Sequence, residues 1–143
     1  MADIFHTLSI QAPITEVFEA ISSPEGLDVW WTRRSAGEPA LKSKYELWFG
    51  PGYDWRALVS KCSAPLEFEF ELIDASEDWW GTKVGFDLAE KDGVTHVAFR
   101  HTGWPEVNDH FRTSSYCWAM YLRLLKRFVE NGEVIPYKQR LEA

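Results

Sequence analysis

Residues 108–132 read NDHFRTSSYCWAMYLRLLKRFVENG, and their apolar side chains recur at the spacing of an α-helix. One ridge of this segment contains Trp118, Leu122, Leu125 and Val129, and the next contains Cys117, Tyr121, Leu124 and Phe128. Asn108 is expected to cap the first turn, and Gly132 is expected to follow the last one. The segment therefore predicts one long amphipathic helix of about six turns, with an apolar face to be buried.

The preceding segment, from about residue 35 to residue 104, alternates apolar and polar residues as β-strands do. The expected strands are KYELWFG (44–50), YDWRALVSKC (53–62), LEFEFELID (66–74) and the two arms of TKVGFDLAEKDGVTHVAFRHTGW (82–104). Asp92-Gly93 is a hairpin turn signal between those arms. Five successive strands of this kind predict an antiparallel meander.

The N-terminal segment adds a strand and two short helices. DIFHTLSIQAP (3–13) alternates like a strand, residues 13–22 have helical spacing, and PEGLDVWW (24–31) indicates a second short helix or a turn, with Gly26 as its weak point. The predicted order is β-α-α-β-β-β-β-β-α, an α+β fold with a six-stranded antiparallel sheet against the long helix. A length of 143 residues is that of one domain, 1–143.

Charge and cysteine content exclude several functions. Fifteen basic and 22 acidic residues give a net charge of −7, which argues against nucleic acid as a partner. No segment resembles a signal peptide or a membrane span, so we expect a cytoplasmic protein without membrane insertion. Cys62 and Cys117 lack the spacing of a disulfide framework or a zinc site and are expected to be free thiols.

The sequence contains no H-E-x-x-H, G-x-S-x-G, Walker-loop or Rossmann motif, and no metal or cofactor is expected. His6 and His101 share the phase of inward-facing strand residues, so each is either a hydrogen-bonded core residue or a polar anchor for a ligand. His96 and His110 are expected to face solvent. A solvated strand face is expected for Glu67, Glu69 and Glu71, and no base is evident beside Ser114 and Ser115.

The aromatic content is the most informative feature of the composition. Eight Trp, nine Phe and five Tyr give 22 large rings, which favour either a thick core or an aromatic-walled pocket. The candidate ligand-binding residues are Trp30, Trp31, Phe49, Trp55, Phe68, Phe70, Phe86, Phe99, His101, Trp118, Tyr121, Leu122 and His6. A pocket of about 300–1,000 Å³ is a usual size for a ligand.

Four stretches carry a resemblance to a known family: IQAPITEVFEAISSPEGLDVWW, VSKCSAPLEFEFEL, THVAFRHTGWP and CWAMYLRLLKRFVENGE. They resemble the compact bacterial members of the activator of heat-shock protein 90 ATPase homologue family, within the START-like superfamily of SRPBCC proteins. The resemblance implies the helix-grip fold, also called birch-pollen-allergen-like, in which a curved sheet wraps around the C-terminal helix. In such a fold the candidate residues are expected to lie between the sheet and that helix, around an apolar cavity that the helix does not fill. It implies a fold more firmly than an activity, because relatives include ligand carriers, cyclases and stress-linked proteins.

The sequence is compatible with three functions. The leading expectation is a non-enzymatic protein, monomer or homodimer, that binds a small hydrophobic, amphipathic or lipid-like ligand. One alternative is a stress-response protein-interaction module with Trp79 and Trp80 exposed as a contact surface. Another is a cyclase- or hydrolase-like enzyme that uses the same cavity. Trp30 is expected to seal the core, and Trp31 is expected to lie nearer the cavity entrance.

Overall fold

The chain folds in the predicted order of elements, with one additional strand. The structure, a computed structural model, describes residues 1–142. Its elements are β1 (Ala2–Ile10), α1 (Ile14–Ser22), α2 (Pro24–Trp30), β2 (Arg34–Ala36), β3 (Lys44–Gly50), β4 (Tyr53–Ser63), β5 (Glu67–Asp74), β6 (Lys83–Lys91), β7 (Val94–Trp104), α3 (Asp109–Asn131) and a C-terminal 3₁₀ helix (Tyr137–Glu142).

All seven strands belong to one antiparallel sheet, in the order β1-β7-β6-β5-β4-β3-β2. The chain returns to its beginning at β7, which pairs with β1 so that Ile4 lies opposite His101 and Leu8 lies opposite Val97. The expectation of six strands is wrong by one, because β2 pairs with β3 over only three residues. A strand of that length is too short to show an alternating pattern.

The long helix α3 has the ends that the sequence predicts. The side chain of Asn108 accepts a hydrogen bond from the backbone N–H of Phe111 at 2.9 Å. Gly132 follows the last turn in the left-handed conformation, with φ of 70°, which a glycine adopts without strain. The buried face of α3 contains Trp118, Leu122 and Leu125 and packs on the inner face of the sheet. The α+β helix-grip architecture is thus confirmed.

Helices α1 and α2 are joined at Ser23 and pack closely. The Ser23 N–H donates to the Glu19 carbonyl at the end of α1, and its hydroxyl oxygen accepts from the Gly26 N–H at the start of α2. A Cβ atom on Gly26 would lie 2.6 Å from the Ala20 carbonyl oxygen. A glycine that lowers helix propensity therefore allows the two helices to touch.

The outer face of the sheet contains an ion cluster around Arg100. Its guanidinium contacts Glu69 at 2.9 Å, Asp87 at 2.7 Å and Glu67 at 3.4 Å. The expectation that Glu69 faces water is wrong, since only 3% of this residue is exposed. Gly85 makes room for the cluster, because a Cβ atom there would lie 2.7 Å from the Arg100 Cζ. Glu69, on β5, is therefore a buried carboxylate whose cationic partner, Arg100, lies on β7.

Candidate functional site

The space between the sheet and α3 is filled by aromatic rings centred on Trp118. The Trp118 ring lies 4.6 Å from that of Phe99, 5.2 Å from that of Trp31 and 5.7 Å from that of Trp79, measured between centroids. We call the buried members of the predicted site the interior cluster: Trp30, Trp31, Phe68, Phe70, Phe86, Phe99, His101, Trp118 and Leu122. Tyr121 is half-buried beside it. The sequence leaves open whether these rings enclose a cavity or form a packed core. In the structure they form a packed core.

The adjacent tryptophans at the end of α2 both belong to the interior cluster. Trp30 is 0% exposed and Trp31 is 2% exposed, so both rings are buried in the core and neither is exposed at an entrance. The indole N–H of Trp30 donates to the Ala20 carbonyl at 2.9 Å. Trp31 is the C-cap of α2, with φ of −126° and ψ of −71°, so its ring is not held on the opposite helix face. It reaches Phe49, 5.4 Å away between centroids.

His101 is the polar centre of the interior cluster, and both of its ring nitrogens have protein partners. The Trp118 indole N–H donates to His101 Nδ1 at 3.0 Å, so Nδ1 is the acceptor. The proton therefore lies on Nε2, which donates to Thr82 Oγ1 at 2.8 Å, and that hydroxyl donates to the Trp79 carbonyl. This chain fixes the tautomer of a neutral imidazole.

Acid is expected to destabilise the protein through His101. Burial, with a smaller effect of the charge on His110, lowers the pKa of His101 to about 3. An unfolded chain titrates its histidines near about pH 6.5, so below that pH the unfolded state binds a proton that the folded state excludes. Stability should then fall with decreasing pH, by up to about 1.4 kcal/mol per pH unit, until about pH 3.

Urea unfolding of the wild type and of His101→Phe between about pH 7 and pH 4 tests this expectation. The variant should show a shallower decline in its unfolding free energy with acid. The exposed His96 offers a matched control, and His96→Gln should retain the wild-type decline. Parallel declines for the wild type and His101→Phe would contradict the assignment of the acid sensitivity to His101.

His6 is half-buried between β1 and α3, where its ring stacks on Phe99 with a centroid distance of 6.2 Å. Ser115 has a histidine beside it that the sequence did not indicate, because its hydroxyl oxygen lies 3.3 Å from His6 Nε2. The same nitrogen lies 3.2 Å from the Ser115 carbonyl oxygen, which can only accept. His6 Nε2 therefore carries the proton and acts as a donor, which is the wrong state for a base that activates the serine.

A groove of about 360 Å³ opens where the β3–β4 turn, the β5–β6 loop, the start of α3 and the C-terminal 3₁₀ helix meet. We call it the rim groove. It is lined by Phe49, Tyr53, Trp55, Ser76, Trp79, His110 and Tyr137. The Trp55 ring lies 4.9 Å from that of Phe49 and 5.1 Å from that of Trp79. Three adjacent indole and phenyl rings thus form one apolar wall.

At the rim groove one sequence expectation needs correction, and one exposed residue has a partner that the sequence did not indicate. Trp79 is only 8% exposed and its indole N–H reaches Ser114 Oγ at 3.3 Å, so of the adjacent pair only Trp80, 61% exposed, lies on the surface. His110 is exposed as expected, yet its Nδ1 lies 2.9 Å from Asp78 Oδ2. No spacing signal could have paired these two residues, since they are 32 positions apart on a loop and a helix.

A second groove, of about 420 Å³, lies between α1, α2 and the end of α3. Three glutamates, Glu16, Glu19 and Glu25, border it, and its one aromatic lining residue is Phe128. The rim groove by contrast contains two of the predicted site residues, Phe49 and Trp55, and touches the interior cluster through Trp79. We therefore take the rim groove as the candidate site.

Among residues 1–142, no three histidine, cysteine, aspartate or glutamate side chains are grouped as a metal ion would require. None of the helices in the same residues is long and apolar enough to span a membrane.

Several solved structures have a fold similar to that of this chain. The Aha1 dimer from Colwellia psychrerythraea, solved in solution, is 27% identical, covers 93% of this chain and 99% of its own, and superposes with a TM-score of 0.83. A protein of Staphylococcus saprophyticus is 18% identical, with 94% and 96% of the chains covered and a TM-score of 0.78. One from Bacillus halodurans is 22% identical, with 91% and 98% covered and a TM-score of 0.76.

The last two likenesses concern the fold alone, and curated protein sequences gave no significant match. The sequence model described as Activator of Hsp90 ATPase homolog 1-like protein matches residues 11–130, which is most of the chain. By this match and by its helix-grip fold, the chain belongs to the family of Activator of Hsp90 ATPase homolog 1-like proteins.

Proposed function

We propose that this protein binds a small hydrophobic or aromatic molecule in the rim groove. The observation that carries the proposal is the continuous wall formed by Phe49, Trp55 and Trp79, with centroid distances of 4.9 and 5.1 Å. Aromatic side chains supply a large apolar contact area at low cost in side-chain entropy. A groove of about 360 Å³ is within the usual range for small-molecule sites.

The packed interior supports a ligand at the rim rather than between the sheet and α3. Trp79 stacks on Trp118 with an interplanar angle of 23°, so the back of the groove rests on the interior cluster. A wall held by a packed core is preorganised, and a ligand that binds it loses little affinity to ordering of the protein. The buried members of the predicted site thus act as supports, and Phe49 and Trp55 act as contact residues.

Titration with 2-methoxynaphthalene, an apolar bicyclic probe, tests the proposal. Two-dimensional NMR should show the largest shifts at the indole N–H signals of Trp55 and Trp79. Trp55→Ala is expected to weaken binding about tenfold or more, since it removes one of the three rings of the wall.

Trp48→Ala is the matched control, because Trp48 is also half-buried and neighbours this wall in sequence but lies on the outer face, under Arg34. It should leave the affinity unchanged. Equal losses for the two variants, or shifts confined to residues outside the groove, would refute the rim groove as the binding site.

A second candidate function is self-association through Trp80. This side chain is 61% exposed at the surface beside the groove, and exposed tryptophans are enriched at protein interfaces. The relative from Colwellia psychrerythraea is described as a dimer. Sedimentation equilibrium of the wild type should then show a dimer, and Trp80→Ser should shift it to monomer with an unchanged far-ultraviolet circular dichroism spectrum. A dimer that persists in Trp80→Ser would exclude this surface.

A further inference from the structure

The rim groove contains a carboxylate–histidine pair that the binding of an apolar ligand does not require. Asp78 Oδ2 lies 2.9 Å from His110 Nδ1, while the His110 ring itself lines the groove. Asp78 is only a quarter exposed, and Asn108 Nδ2 lies within 3.4 Å of the same oxygen. Trp104 packs at right angles to the imidazole with a centroid distance of 5.4 Å. The ring is thus held from two sides.

This arrangement determines which nitrogen of a neutral His110 can serve a ligand. A carboxylate oxygen only accepts hydrogen bonds, so the proton of the neutral imidazole lies on Nδ1 and is donated to Asp78. The lone pair is then on Nε2, which has no hydrogen-bond partner among residues 1–142. A fixed acceptor at an apolar wall distinguishes ligands by whether they carry a donor at the matching position.

We propose that His110 Nε2 accepts a hydrogen bond from a hydroxyl group of the ligand, so that the rim groove selects hydroxylated aromatic molecules. This inference rests on the proposed function and specifies its ligand class. The hydroxyl groups of Tyr53, Ser76 and Tyr137 also line the groove, but each can donate or accept and therefore discriminates less. Asp78 acts as a positioning residue, since it reaches the ligand only through His110.

Two probes with the same ring system test selection by His110 separately from binding of an apolar molecule in the rim groove. 2-Naphthol carries the hydroxyl group, and 2-methoxynaphthalene carries an ether oxygen that cannot donate. Affinities for both probes are measured by calorimetry. Apolar contacts that both probes make contribute equally to the two affinities, so their contribution cancels in the ratio of those affinities. His110→Phe should shift that ratio about three- to tenfold toward the ether, the range expected for one neutral hydrogen bond.

Asp78→Asn tests the positioning role. An asparagine amide can donate to Nδ1 or accept from it, so both tautomers become accessible and the preference for 2-naphthol should fall part of the way. The ¹⁵N chemical shifts of His110 should move from those of the Nδ1–H tautomer toward a mixture, which a loss of packing alone would not produce. Wild-type ¹⁵N shifts that show the Nε2–H tautomer would overturn the inference.

The remaining outcomes are equally distinct. If both probes bind the wild type and the affinity ratio is unchanged in His110→Phe, selection by His110 is wrong and the groove proposal stands. If neither probe binds at the rim groove, the proposed function fails together with the inference. Near-ultraviolet circular dichroism verifies the fold of each variant, and His110→Leu repeats the measurement should His110→Phe not fold.

Discussion

Trp118→Ala is expected to lower the free energy of unfolding by about 3–5 kcal/mol, the range for truncating a buried large aromatic residue. The ring is 1% exposed and lies at the centre of the interior cluster. Its removal leaves a void lined by Trp31, Phe99 and Trp79, whose rings cannot close it without leaving their own contacts. It also deprives His101 Nδ1 of its donor. Urea denaturation at neutral pH measures the loss.

Tyr116→Ala is the matched control on the same helix, because Tyr116 is 80% exposed. Its effect should remain within about 0.5 kcal/mol, as for other surface substitutions. A loss below about 1 kcal/mol for Trp118→Ala would mean that the cluster repacks readily. The rim groove would then lack the rigid support that the proposed function assigns to it.

Arg100→Met should cost about 3–5 kcal/mol, because it leaves Glu69 as a buried carboxylate without its cation. Arg100 contacts Glu69, Asp87 and Glu67, but only the first of these acids is fully buried. Ser60 Oγ, at 2.7 Å, would remain as the side-chain donor to Glu69. One hydroxyl donor does not replace a guanidinium, so the cost of desolvating the carboxylate is left largely uncompensated.

The double variant Glu69→Met/Arg100→Met should recover most of that stability, since replacing both partners of a buried pair by apolar residues is often close to neutral. Arg56→Met serves as the control for an exposed ion pair with Asp54 and Glu46 and should lose much less. A double variant as unstable as Arg100→Met alone would show that the guanidinium acts by packing instead of charge.

The order of elements could be predicted because most of them are long and strictly periodic. α3 spans 23 residues with two apolar ridges, and its caps were readable at Asn108 and Gly132. β2 was missed because three residues show no period. The burial of Glu69 was missed because strand alternation only assigns a face. It does not show that Arg100, 31 residues away, covers the carboxylate.

The candidate site was predictable only in part, for a similar reason. Inward-facing strand phase brought Phe68, Phe70, Phe86 and Phe99 together as expected. The rim groove, however, is built from loop and turn residues such as Trp79 and Tyr53, whose directions depend on tertiary contacts rather than on a repeat. The pairing of His110 with Asp78 joins a helix start to a loop, and local sequence carries no signal for it.

The pairing of β1 with β7 also constrains how the chain can reach its native state. Leu8 can pair with Val97 only after β2 to β6 have been synthesised, so β1 has no strand to pair with during most of translation. Contacts this distant in sequence slow folding, because the entropy of closing a long loop must be overcome before the pairing stabilises the sheet. A nascent chain that ends before residue 94 exposes an unpaired strand with Ile4 and Ile10 on its apolar face. An unpaired strand of this kind is prone to aggregate with other chains during synthesis.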